Sequence, residues 1–116
     1  MKLFVDDLRI CPEGWTLART NTDAIRLLYF GRVEEISIDH DIVKCMRHLS
    51  PDFSEETFQP VFYYLAAMRQ ELRPKRIIVH TANPAGAIRM QNLLNDNNIE
   101  CEIKESSQPF TKDGGY

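Results

Sequence analysis

Residues 76–86 read RIIVHTANPAG. Ile77, Ile78 and Val79 form an unbroken β-branched run, followed at once by His80 and Thr81. A short continuous apolar run of this kind marks a strand covered on both faces, as in a parallel sheet. "TANPAG" then turns the chain. Asn83 can cap a helix, and Pro84 suits its first position. Met90, Leu93 and Leu94 make the apolar side of that helix, which should stop near Asn97 and Asn98. A strand that runs through a short turn into a helix is half of a βαβ unit, so the fold depends on whether the unit repeats.

It repeats on both sides. Upstream, KLFVD (2–6) reads as a short buried strand, and Pro12 and Gly14 then break the pattern. WTLAR (15–19) is a second strand. A helix follows, with Thr20 or Asn21 as N-cap, Asp23 in its first turn, Gly31 as its stop, and a stripe of Ala24, Leu27 and Leu28. VEEISID (33–39) is the third strand, and residues 42–53 form an irregular connection. Phe58, Val61, Phe62, Leu65, Met68 and Leu72 recur at helical spacing within residues 56–72. Pro60 belongs to that helix's first turn or a kink, and Arg73-Pro74 should end it. ECEIKE (100–105) is the fifth strand.

Strands alternating with helices predict a three-layer α/β fold: a five-stranded, mainly parallel sheet with helices on both faces. It would occupy residues 1–105, with 106–116 as a C-terminal tail. One connection is too short for the pattern. Seven residues, 8–14, join the first two strands, where a parallel return normally takes a dozen or more. Seven extended residues reach about 24 Å, enough to return along a short strand without a helix. The second strand is therefore parallel with a stripped connection, or antiparallel.

Composition narrows the function. A chain of 116 residues, 43% hydrophobic and 27% charged, is long and apolar enough for one globular core. A net charge of −3 gives no general basic footprint for duplex DNA. Cys11, Cys45 and Cys101 are odd in number and scattered, which argues against a disulfide framework and for a reducing, cytoplasmic setting. The N-terminus turns acidic after four residues, unlike a signal peptide, and no apolar run reaches membrane-spanning length.

Ligands of open α/β sheets bind beyond the carboxyl ends of the strands. Those ends are unusually polar here. The first strand ends in Asp6-Asp7 with Arg9 behind, the second in Arg19-Thr20, the third in Asp39-His40-Asp41, and the fourth in His80-Thr81, then Asn83. In a parallel sheet they share one rim. Asp6, Asp7, Asp39 and Asp41 concentrate hard oxygen ligands, suited to Mg²⁺, Mn²⁺ or Ca²⁺. Arg9, Arg19, Thr81 and the helix start at Asn83-Pro84 suit phosphate oxygens. His40 and His80 titrate near neutrality and could divide acid and base work. Side chains alternate along a strand, so Asp39 and Asp41 share a side while His40 points away.

The segments LFVDDLR, GWTLART, ISIDHD and IVHTANPAG together resemble the cyclic-phosphate-processing receiver domain family, a divergent relative of response-regulator receivers. The resemblance spans roughly residues 2–103. It implies a flavodoxin-like receiver fold, strand order 2-1-3-4-5, with the first and last receiver helices missing or reduced. It also implies processing or sensing of terminal cyclic phosphates, in a setting linked to RNA repair. In receivers an acidic pair binds Mg²⁺, matching Asp6 and Asp7; the phosphoacceptor matches Asp39; a Thr or Ser follows strand four, matching Thr81. The receiver Lys-Pro after strand five is absent, and His40 and His80 stand where receivers have no histidine, which argues against a phosphorelay switch.

The expectation is metal-assisted hydrolysis of a cyclic phosphate on a nucleotide or RNA end. Asp6, Asp7, Asp39 and Asp41 would hold Mg²⁺ or Mn²⁺, with His40, His80 and Asp39 catalytic. Arg9, Arg19, Thr81 and Asn83 would hold phosphate. A non-catalytic phosphonucleotide sensor is the main alternative, and a phospho-accepting switch at Asp39 the second. Oligomeric state stays open.

Overall fold

The structure, a computed structural model, describes residues 1–40 and 57–105. Asp41, the connection after it and the 106–116 tail lie outside the described residues. The elements are β1 (Lys2–Val5), β2 (Thr16–Ala18), α1 (Asn21–Phe30), β3 (Glu35–Ile38), α2 (Gln59–Ala67), a 3₁₀ turn (Gln70–Leu72), β4 (Arg76–Thr81), α3 (Pro84–Asp96) and β5 (Glu102–Glu105). The five strands form one sheet in the order β2-β1-β3-β4-β5, and every pairing is parallel. This is the receiver, flavodoxin-like arrangement. Among the described residues no helix is long and apolar enough to cross a membrane.

The orientation of β2, open from sequence, is parallel: Leu3, Phe4 and Val5 pair with Thr16, Leu17 and Ala18. The short return is held by its own polar groups. Gly14 takes a φ of +84°, a left-handed conformation that glycine adopts without steric cost. Arg19 Nη1 reaches back to donate to the Arg9 carbonyl at 2.8 Å.

The helices begin and end where their capping residues allow. The Thr20 side chain accepts the Asp23 N–H at 3.1 Å and settles the α1 N-cap. Asn83 does the same for α3, accepting from the Gly86 N–H at 3.1 Å. At the other end of α3, Asn98 adopts φ 62°, and the Ile99 N–H bonds the Leu94 carbonyl at 2.9 Å. That is a Schellman closure with asparagine in glycine's usual place. The helix expected to run to Leu72 closes at Ala67 instead. Met68 turns extended, and Arg73 folds back so that Nε and Nη2 cap the Leu65 and Met68 carbonyls at 3.0 and 2.7 Å.

The core explains the site's position. Leu3, Val5, Ile36, Ile38, Ile77 and Val79 alternate onto one sheet face and join one apolar cluster with Ala24 and Leu28 of α1, Val61, Phe62 and Leu65 of α2, and Met90 and Leu94 of α3. All three described helices therefore serve the same face. The reduced first receiver helix has a local cause: the 8–14 connection has no room for one. The intervening strand positions, Phe4, Ser37, Ile78 and His80, belong to the other face and are buried as well. Three of these four are aromatic or polar, and they lead directly to the rim.

Candidate functional site

The carboxyl ends of β1, β3 and β4 meet at a buried polar cluster. Asp6, Asp7, Arg9, Asp39, His40, His80 and Thr81 are each no more than 5% exposed. Charged groups are seldom buried unless paired, and here the pairing is nearly complete. Asp6 Oδ1 accepts the backbone N–H groups of Leu8 and Arg9, both at 2.9 Å. Asp6 Oδ2 accepts Arg9 Nη1 and His80 Nε2, both at 2.8 Å. The same Arg9 Nη1 donates to Asp39 Oδ2 at 2.9 Å. One guanidinium nitrogen thus ties the end of β1 to the end of β3. Asp39 Oδ1 accepts the His40 N–H at 2.8 Å.

These contacts set the charges apart. Burial alone would raise the Asp6 carboxyl, but the hydrogen bonds from His80, Arg9 and Leu8 outweigh it and hold Asp6 at about 2. Asp39 goes the other way, to about 7: burial raises it first and the Asp6 charge next, against Arg9, the His40 N–H and Thr81. Two neighbouring carboxylates around one cation thus differ in their readiness to ionise. Burial lowers the basicity of His80, against the opposing pull of Asp6. An ionised Asp6 can only accept, so His80 Nε2 carries the proton. A neutral ring then leaves Nδ1 to accept the Ser37 hydroxyl, at 2.6 Å. The ring also stacks on Phe4, centroids 4.6 Å apart and 5° from parallel.

The expected residues do not all converge equally. Asp6, Asp7, Arg9, Asp39 and His80 form the cluster. Thr81 joins it by a hydrogen bond to Asp39, while its Oγ1 accepts the Asn83 N–H at 3.0 Å. Arg19 lies at the edge, half-buried, supporting the Arg9 carbonyl. Asn83 caps α3. His40 turns to the helix side, where its ring lies against Gly86: a Cβ built on Gly86 would come 2.6 Å from His40 Nδ1. Asp41 lies outside the described residues. His80 sits one layer behind the acids, with both ring nitrogens engaged by Ser37 and Asp6.

Sequence reasoning missed Ser37, Phe4 and Gly86. Ser37 carried a signal, being a lone hydroxyl in the middle of the otherwise apolar central strand. Gly86 carried one too, as a glycine in the first turn of a helix. Phe4 looked like ordinary core.

The donor chemistry fits a hard divalent cation. Asp6, Asp7 and Asp39 each offer a carboxylate oxygen, all within 4.8 Å of one another. Arg9 already bridges two of the three.

A parallel five-stranded sheet of this order, with acids at the ends of β1 and β3 and a threonine at the end of β4, defines a receiver-like protein. The model of the cyclic-phosphate processing receiver domain family matches residues 1–96, and the chain belongs to that family. No curated protein and no solved structure matches it.

Proposed function

We propose that this rim processes a terminal cyclic phosphate, on a nucleotide or an RNA end, by metal-assisted hydrolysis. The observation that carries the reading is Arg9 Nη1 held between Asp6 Oδ2 and Asp39 Oδ2 at 2.8 and 2.9 Å. It joins a phosphate-seeking guanidinium to a carboxylate set suited to Mg²⁺ or Mn²⁺ at the ligand-binding edge of the sheet. The family description supports cyclic phosphate as the chemistry.

In the reaction a water oxygen bonds to phosphorus and gives up a proton, one ring P–O bond breaks, and the freed sugar oxygen takes up a proton in turn, so the net change is the addition of one water. Asp6, Asp7 and Asp39 would hold the ion, which supplies neutralisation of the phosphate charge. Arg9 and Thr81 orient phosphate oxygens. His40, turned to the helix side against Gly86, packs the end of β3 onto α3. His80 acts through Asp6: the Ser37–His80–Asp6 chain fixes the carboxylate, as partners behind metal ligands do. Incubation with a 2′,3′-cyclic mononucleotide and Mg²⁺ or Mn²⁺ should give the opened monophosphate. Absence of turnover, or turnover unchanged in Asp39→Asn, counts against hydrolysis.

The burial of the cluster favours a second reading, a sensor that binds the same group without opening it. Thermal stabilisation by the cyclic nucleotide with no product formed would mark that case.

A further inference from the structure

A second surface lies at the opposite end of the sheet. It is a groove of about 850 Å³ between the last turns of α1 and α2, beneath the amino ends of β3 and β4. Its lining includes Tyr29, Phe30, Arg32, Arg69, Leu72 and Lys75. Nothing in the rim chemistry uses these residues. We propose that the groove holds a single-stranded RNA segment, with bases against Tyr29 and Phe30 and backbone phosphates along Arg32, Arg69 and Lys75.

Charge is the first argument. The chain carries −3 overall, yet the groove is lined by Arg32, Arg69, Arg73 and Lys75 against only Glu34 and Glu71. Arg26 adds to it from the adjoining hollow, which shares Tyr29 and Phe30. Arg26, Arg32 and Lys75 make no ion pair among the described residues. Arg69 pairs with Glu71 at 3.0 Å, but both side chains are mostly exposed, so solvent screens the pair and it yields readily to a phosphate. Arg73 is fixed in place by the Leu65 and Met68 carbonyls, which keeps its charge at the groove.

The rings decide between anionic partners. Tyr29 is 70% exposed and Phe30 78%, and they stand edge to face with centroids 4.7 Å apart. Two adjacent aromatic side chains so open to water, flanked by arginines, form the stacking platform and basic track that bind unpaired strands without sequence preference. A duplex hides its base faces and gains nothing from such rings. An acidic peptide would use the cations but not the exposed ring faces. The inference rests on the cyclic-phosphate reading only for the choice of RNA, the strand whose end the rim would treat.

The test uses the full chain and a labelled single-stranded RNA of about a dozen nucleotides ending in a plain 3′-hydroxyl, so that binding does not depend on the rim. Anisotropy should show salt-sensitive binding that weakens on the order of tenfold or more in the Tyr29→Ala, Phe30→Ala double variant. The Arg32→Glu, Lys75→Glu variant should also lose binding and flatten the salt dependence. Tyr29→Trp, which keeps a stacking face, should retain it, and thermal shift by a cyclic mononucleotide should be the same in all variants. Failure of the cyclic mononucleotide alone would remove the rim reading and leave the groove standing. The groove proposal is overturned if wild type does not bind the strand or if the ring variant binds it equally well. It is also overturned if polyglutamate or duplex RNA binds as tightly, polyglutamate marking an acidic protein partner instead.

Discussion

Arg9 is the residue on which the rim depends. Its buried guanidinium bonds Asp6 and Asp39 together and balances the Asp6 charge, and removing one member of a buried ion cluster leaves uncompensated charge. Arg9→Ala should therefore cost roughly 3–5 kcal/mol of stability in EDTA, measured by urea unfolding. Mg²⁺ at millimolar concentration should restore a substantial part of that loss, because an ion at Asp6, Asp7 and Asp39 replaces the missing positive charge. A loss identical with and without Mg²⁺ would mean that these carboxylates do not hold metal. The acids themselves were legible in the sequence, because an apolar run ending in Asp marks a strand end. Arg9 was read only as a phosphate ligand. Its second role depends on β1 and β3 lying side by side, which no local pattern encodes. The same holds for His80: the strand end could be seen, but its partner Ser37 lies 43 positions away, on the neighbouring strand.

At the scale of elements, the 8–14 connection does the most to make this sheet unusual. It returns the chain to a parallel strand without a helix, so β2 is held in place by a few backbone bonds and by Gly14. Its φ of +84° costs an ordinary residue about 1–2 kcal/mol, while no atom lies within 4 Å of where a side chain would begin. Gly14→Ala should thus lose about that much by backbone strain alone. Gly14→Asn should lose less, since asparagine visits this region more readily. Equal losses in urea midpoint would point to crowding instead. Sequence gave the position of this turn through Pro12 and Gly14, but not the direction of the strand after it. Seven residues permit either direction, and the register with β1 decides. The end of α2 escapes the apolar period for a comparable reason. Met68 and Leu72 continue the apolar period past Ala67, while the carbonyls that end the helix are capped by Arg73, which follows the periodic stretch.

For the whole molecule, the buried carboxylates of the rim make folding depend on pH. Asp39 has its folded value raised from 3.8 to about 7, so the native state binds a proton that the unfolded chain releases. Its contribution to stability is full below about pH 4 and is lost as pH rises towards 7. Asp6, lowered to about 2, contributes above 3.8 and loses that contribution only in stronger acid. His80 opposes Asp39: with its value lowered from 6.5, it contributes above that pH and loses its share as pH falls below it. In wild type the two slopes partly cancel, so the contribution of Asp39 is best read in His80→Gln. In EDTA the urea midpoint of that variant should fall steadily between about pH 4 and about pH 7. Mg²⁺ should remove the fall, because a cation beside Asp39 favours its ionised form and competes with the proton. A midpoint that is flat or rising in EDTA would mean that Asp39 is already ionised in the fold, with Arg9 alone sufficient to hold both carboxylates charged.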